Sequence, residues 1–256
     1  MAGFLLVHGA FSGAWIWGPL QERLKANGHV ADALDLPGSG DDRTPATEVT
    51  LDGCAARVCD VLAASADPAI VVGHSMGGVV ITQAAAHCPQ RVAALVYVSA
   101  FMPQNGQSLL ELTHLPEGAG DQVQANLVIN EDSCEAVLPD AASKGAVYGC
   151  CTEDIARWAI ARQRPQPLAP FVTPVSIPPA ALDNINRYYV LCKRDQAVPP
   201  PLQRRMISEN GCAQVIELDT DHTPQLSMTD DLARALDQFA AHLAQRSARF
   251  GSSAAR

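Results

Sequence analysis

The run Ala69-Ile70-Val71-Val72-Gly73-His74-Ser75-Met76-Gly77-Gly78 decides how the rest of the chain is read. Its first residues are apolar and largely β-branched, the pattern of a short buried strand. Val79-Val80-Ile81-Thr82-Gln83-Ala84-Ala85-Ala86 follows, long and alanine-rich enough for a helix despite its leading valines. Between them lies Gly-x-Ser-x-Gly. On its own that pattern also fits an ordinary connection with an inert Ser75. A strand before it and a helix after it make it a nucleophile elbow, a sharp turn that lifts a serine at the strand's carboxyl end. A side chain at Gly73 or Gly77 would collide in so tight a turn. Gly78 lets the helix lie close on the sheet, and the helix start aims N–H groups and its positive dipole end at the reacting atoms.

Upstream, Phe4-Leu5-Leu6-Val7 reads as a first strand that runs into His8-Gly9-Ala10-Phe11. After such a strand, a glycine at position 9 turns the chain so that the N–H of Ala10 faces the nucleophile, although a plain turn has the same composition. A helix is expected over Trp17–Asn27, stopped by Gly28. A strand at Val30–Asp35 and a helix from Leu51 to Ser65 then lead to the elbow strand. Downstream, Val92-Ala93-Ala94-Leu95-Val96-Tyr97-Val98 is another buried strand. Tyr188–Cys192, a helix over Pro201–Asn210, and Val215–Leu218 resume the alternation. The final helix carries Leu232, Leu236, Phe239 and Leu243 on one face. Strand–helix alternation predicts an α/β fold, a mostly parallel sheet flanked by helices. The rhythm breaks between Met102 and Pro179, where prolines gather and helical pieces fit only near Leu109 and over Thr152–Arg162. This stretch is read as a cap inserted over the carboxyl edge of the sheet, because structureless loops of that length are uncommon. The expected organisation is a core of residues 1–102 and 180–248, a cap at 103–179 and a flexible tail at 249–256.

Composition narrows the function classes. A net charge of −9, with no Lys/Arg run, argues against nucleic acid as a partner. No apolar stretch reaches the ~20 residues of a membrane span. The first strand begins at Phe4 with no signal peptide before it, so a cytoplasmic protein with all eight cysteines as free thiols is expected. The cysteines lack paired metal-ligand spacing, and no metal is expected.

A serine is a poor nucleophile at neutral pH and needs a base, which in turn needs an orienting carboxylate. On an elbow scaffold the chain order is Ser, acid, His. Asp195 follows one late strand and His222 follows the next, both where sheet-end loops converge. Asp219 and Asp221 lie too near His222 in sequence to orient its ring from the neighbouring strand. His29, His74, His87 and His114 precede Asp195, and His242 falls within the last helix. The candidate catalytic set is Ser75, Asp195 and His222.

Several stretches together resemble the plant methylesterase and hydroxynitrile lyase family and its bacterial esterase relatives: Leu6-Val7-His8-Gly9-Ala10, Trp15-Ile16-Trp17, Gly28-His29-Val30, Ala33-Leu34-Asp35-Leu36, Gly73-His74-Ser75-Met76-Gly77-Gly78, Ala100-Phe101-Met102-Pro103, Asp195 and Asp221-His222. The likeness spans nearly the whole chain and is weakest in the cap. It implies an α/β-hydrolase fold with a cap and no cofactor, and it makes the N–H groups of Ala10 and Met76 the oxyanion donors. Gly9, Phe11, His74, Phe101 and Met102 are the expected substrate-binding residues, around an apolar pocket that suits small uncharged esters. The expected partner is such a small-molecule ester, with the chain acting alone or as a homodimer. Hydroxynitrile lyases of this branch carry Thr or Asn after the first His, and the best-known type carries Lys after the catalytic His. Here those positions are Gly9 and Thr223, which favours ester hydrolysis over cyanohydrin cleavage. A non-catalytic small-molecule binder on the same fold is the other alternative, and it would have no need of the three catalytic residues.

Overall fold

The computed structural model describes residues 1–253. Six strands carry the core: β1 (Gly3–Val7), β2 (Val30–Leu34), β3 (Ala69–His74), β4 (Val92–Val98), β8 (Asn186–Cys192) and β9 (Gln214–Leu218). Three short strands, β5 (Val128–Asn130), β6 (Glu135–Val137) and β7 (Gln166–Pro167), belong to the insertion. The six core strands form one sheet in the order β2-β1-β3-β4-β8-β9, and every pairing in it is parallel. Residues such as Leu6, Val72, Val96 and Val190 are wholly buried, as expected where helices cover both faces of a parallel sheet.

The helices are α1 (Gly18–Ala26), α2 (Leu51–Ala63), α3 (Gly77–His87), α4 (Leu109–Thr113), α5 (Gln122–Asn126), α6 (Asp140–Ala146), α7 (Glu153–Ile160), α8 (Ala169–Val172), α9 (Pro200–Asn210), α10 (Pro224–Ser227) and α11 (Thr229–Ser253). The chain steps one way from β1 to β2 and then reverses to β3 and beyond. With right-handed crossovers, that reversal puts α1 on one face and α2 and α3 on the other. The packing agrees: α1 lies on α11, and α2 lies on α3. The reversal also leaves a crevice at the carboxyl ends of β1 and β3, where open α/β sheets bind their ligands.

Between β4 and β8 the chain forms the cap, built from α4 to α8 and the antiparallel sheet β5-β6-β7. The sequence pattern shows α4 and α7 but not this sheet, whose strands of two or three residues are too short for any periodicity. Thr50, Ser108 and Thr152 close the amino ends of α2, α4 and α7 by accepting backbone N–H groups. At the other end of the chain, the expected tail begins at 249, but α11 continues through Ser253. Residues 254–256 of that tail lie outside the described residues. Among the described residues no helix is long and apolar enough to cross a membrane.

The expectation of eight free thiols is corrected. Cys59 on α2 and Cys88 at the end of α3 form a disulfide, with Cα atoms 6.1 Å apart. The expectation rested on cellular compartment, whereas the pairing follows from α2 and α3 lying side by side. The other six cysteines are free thiols. Thiol titration of the denatured, unreduced protein should therefore count six, rising to eight after reduction; eight before reduction would contradict the bridge.

Candidate active site

Ser75 sits at the turn from β3 into α3 with φ of 54°, a left-handed conformation that costs a non-glycine residue roughly 1–3 kcal/mol. Its backbone is held from three directions. Its N–H donates to the Val98 carbonyl, and its carbonyl accepts from the N–H groups of Gly78 and Phe101. Phe11 and Ser99, after β1 and β4, also have positive φ (62° and 48°). Strained backbone thus gathers at the carboxyl ends of three adjacent strands. The turn leaves no room for side chains: a Cβ on Gly73 or Gly77 would lie 2.7 Å from backbone oxygen, and one on Gly78 would lie 2.1 Å from the Phe101 carbonyl oxygen.

His222 is 3% exposed, and its Nδ1 lies 2.9 Å from Asp195 Oδ2. An ionised carboxylate only accepts, so Nδ1 carries the proton and the Nε2 lone pair is left for a reacting group. Asp195 is fixed by further donors. Oδ1 accepts from the N–H groups of Ala197 and Val198 at 2.8 and 2.9 Å, while Oδ2 accepts from Gln203 Nε2 at 3.1 Å and from the Ser99 hydroxyl. Sequence reasoning misses Ser99 and Gln203. For Gln203 one signal exists, a polar residue beside Leu202 on a helix whose buried face also includes Met206. Burial alone would lower the His222 pKa. The charge and hydrogen bond of Asp195, joined by the carboxylates of Asp221 and Asp121, outweigh that and hold it above the ordinary imidazole value.

Asp219 is exposed and pairs with Lys193 and Arg194. Asp221 is buried and has a different task. Its Oδ2 accepts the N–H of Cys150 at 2.7 Å, and its Oδ1 accepts from Ser227 Oγ at 2.9 Å. It ties the cap to the loop that carries His222.

A cavity of about 130 Å³ opens above this crevice. Ser75, His222, Ala10, Phe11, Met76 and Phe101 line it from the core, while Leu109, Leu127, Phe171 and other cap residues close it. Among the described residues, the N–H groups of Ala10 and Met76 have no hydrogen-bond partner in the protein, and both residues stand beside Ser75 at the cavity wall. Asp121 and Gln124 add polar groups from the cap that the sequence pattern does not reveal. Among the described residues no group of three or more His, Cys, Asp and Glu side chains is placed to hold a metal.

Two of the expected substrate-binding residues, Met102 and Gly9, are corrected, while His74 is found at the cavity. Met102 does not reach the cavity; its N–H is 3.2 Å from Met206 Sδ, and it lines a separate hollow beside Tyr97 and Arg187. Gly9 lies behind the wall, so close that a Cβ on it would come within 2.7 Å of Ser75 Cβ, and its role is to leave that space empty. His74 does line the cavity, but its Nε2 is engaged with the His222 carbonyl oxygen at 2.8 Å. Burial, then the neighbouring His222, keeps the His74 pKa well below its ordinary value, so it serves as a neutral prop for the His222 loop. His8 is a second prop: Nδ1 donates to the Gly9 carbonyl at 2.7 Å and Nε2 accepts the Leu36 N–H at 3.1 Å, which fixes the loop that bears Ala10.

A base that works as neutral imidazole is lost as pH falls through its pKa. The acid limb of any activity that uses His222 should therefore lie above pH 6.5, the ordinary imidazole value, and Asp195→Asn should lower kcat about 10⁴-fold by presenting the wrong tautomer. A pH–rate profile and single-turnover rates check both; an acid limb well below that value, or a crippled Asp219→Asn beside an active Asp195→Asn, contradicts the assignment.

Comparison with known proteins places this arrangement. Residues 4–235 match the model of the alpha/beta hydrolase family. Methylesterase 7 of Arabidopsis thaliana is 30% identical over 93% of this chain and 95% of its own length. Salicylic acid-binding protein 2 of Nicotiana tabacum is 28% identical, over 93% of this chain and 96% of its own. Among solved structures, a pyrethroid hydrolase from Sphingobium faniae superposes with a TM-score of 0.87 at 26% identity, covering 95% of this chain and 99% of that one. On the family match, the sheet order and the serine turn between β3 and α3, the chain belongs to the alpha/beta hydrolase family.

Proposed function

We propose that the chain is a serine carboxylic ester hydrolase acting on small, largely apolar esters. The observation that carries this reading is the 2.9 Å bond from Asp195 to His222 Nδ1, which leaves Nε2 as a base at a cavity that Ser75 also lines. Ser75 Oγ attacks the ester carbonyl as His222 takes its proton. The developing oxyanion is received by the N–H groups of Ala10 and Met76, which have no other partner among the described residues. His222 then protonates the departing alkoxide, and a water activated by the same imidazole cleaves the acyl-enzyme to release the acid and restore Ser75. Asp195 keeps the imidazole in one tautomer and stabilises its cation. Relatives named as methylesterases and a structural neighbour named as a pyrethroid hydrolase support ester chemistry.

Cyanohydrin cleavage fits these residues poorly. Cyanide leaves with negative charge, and a cation beside the catalytic histidine would be worth several kcal/mol, about 4 kcal/mol at 4 Å and an effective dielectric near 20. Thr223 offers none: it is buried, and its hydroxyl donates to the Val147 carbonyl at 2.7 Å. Gly9 has no side chain to hold a cyanohydrin hydroxyl, and no space for one.

The purified protein should turn over p-nitrophenyl esters of short acids and release no cyanide from mandelonitrile above background. Ser75→Ala should lower ester turnover by about 10⁴ or more while the circular dichroism spectrum stays unchanged. Mutant activity within tenfold of the parent, or cyanide release without esterase activity, would overturn the reading.

A further inference from the structure

Among the described residues that line the cavity, only Asp121 brings a carboxylate, and the ester mechanism makes no use of it. It is 9% exposed and precedes α5, where its Oδ1 accepts the N–H groups of Val123 and Gln124, both at 2.8 Å. Those two bonds account for one oxygen. Oδ2 has no hydrogen-bond partner among the described residues. Capping does not require a charge here. The same chain closes α2, α4 and α7 with Thr50, Ser108 and Thr152, and Asn caps as well as Asp. A carboxylate in a cavity whose cap side is mostly apolar, with Leu109, Leu127 and Phe171 beside Thr113 and Gln124, is costly unless something offsets it. The loop is also anchored near the acid of the triad, since Gln122 donates its N–H to the Gln196 carbonyl at 2.7 Å.

Resting on the esterase reading, we propose that Asp121 is a specificity-determining residue: its free oxygen receives a hydrogen-bond donor, an ammonium or hydroxyl group, carried by the substrate beyond the ester, and its charge turns away esters that bear a free carboxylate. The geometry separates two tasks within one cavity. The Ala10–Ser75–Met76 side holds the reacting carbonyl, and the α5 side reads the far end of the substrate. Burial raises the Asp121 pKa to about 6, against the two N–H bonds and the charge of His222 that pull it down, with Asp195 adding to the rise. Above that pH the group is an anion. The acid released by hydrolysis is also an anion, so the same charge hastens its departure.

The test uses three methyl esters of similar length, followed by proton release at about pH 8: methyl valerate, methyl γ-aminobutyrate and monomethyl glutarate. The parent protein should show a higher kcat/KM for the amino ester than for the hemiester. Asp121→Asn, which retains an amide oxygen for the cap, should shrink that ratio by about ten- to a hundredfold. Asp121→Glu, which keeps the charge on a longer arm, should retain part of the preference. An unchanged ratio in Asp121→Asn, or a parent that prefers the hemiester, overturns the proposal, and the second outcome needs no variant to fold. Failure of the parent to turn over methyl valerate and every p-nitrophenyl ester overturns the esterase reading instead.

Discussion

The crossing of β3 into α3 is the constraint on which the rest of the molecule depends. A serine is held at positive φ in a turn where three glycines have no space for a methyl group. That conformation is unfavourable in isolation and persists because its surroundings over-determine it. The elbow is clamped to β4 by the Val98 carbonyl and the Phe101 N–H, and β1 lies close enough that position 9 must be empty. Two neighbouring strands therefore shape the serine turn as much as its own residues do. Phe11 and Ser99, beyond the ends of the two flanking strands, also have positive φ.

The second constraint is a buried negative charge. Removing Asp195 from water would cost several kcal/mol if it were unpaired. Five donors from four separate places meet it: its own loop, Gln203 on α9, Ser99 after β4 and His222 after β9. The acid is thus a node that joins the last three strands of the sheet at their carboxyl ends. Its charge also holds His222 in the one tautomer that leaves Nε2 free.

What the chain reveals without coordinates follows from which signals are local. The core strands are apolar or alternating runs, with Asp32 in β2 and Glu217 in β9 at the sheet edges, and each is found within a residue or two of its expected place. A short motif and a chain order single out Ser75, Asp195 and His222 as candidates, and the fold brings Asp195 and His222 into contact. Other features depend on contacts distant in sequence. Met102 is as apolar as Phe101, and only the direction of the strand's exit decides that one faces the cavity and the other Met206. Asp121 carries no local mark, and it meets the cavity only because the cap folds over the crevice. Cys59 and Cys88 are 29 residues apart, and nothing local marks them as partners.

The cap meets the core partly through its main-chain atoms, beside side-chain bonds from Arg164, Gln166 and Glu117. Cys150 offers its N–H to Asp221, Val147 its carbonyl to Thr223, and Arg164 its N–H to the Phe11 carbonyl. Bonds to backbone ask for a path of the chain and are nearly indifferent to which side chains lie along it. Substitutions at positions 147 and 150 can therefore accumulate without unhooking the cap, whereas the core residues that grip it, Asp221 and Thr223, have no such freedom. An insertion fastened in this way can change its lining, and with it the choice of substrate, while the machinery beneath stays the same.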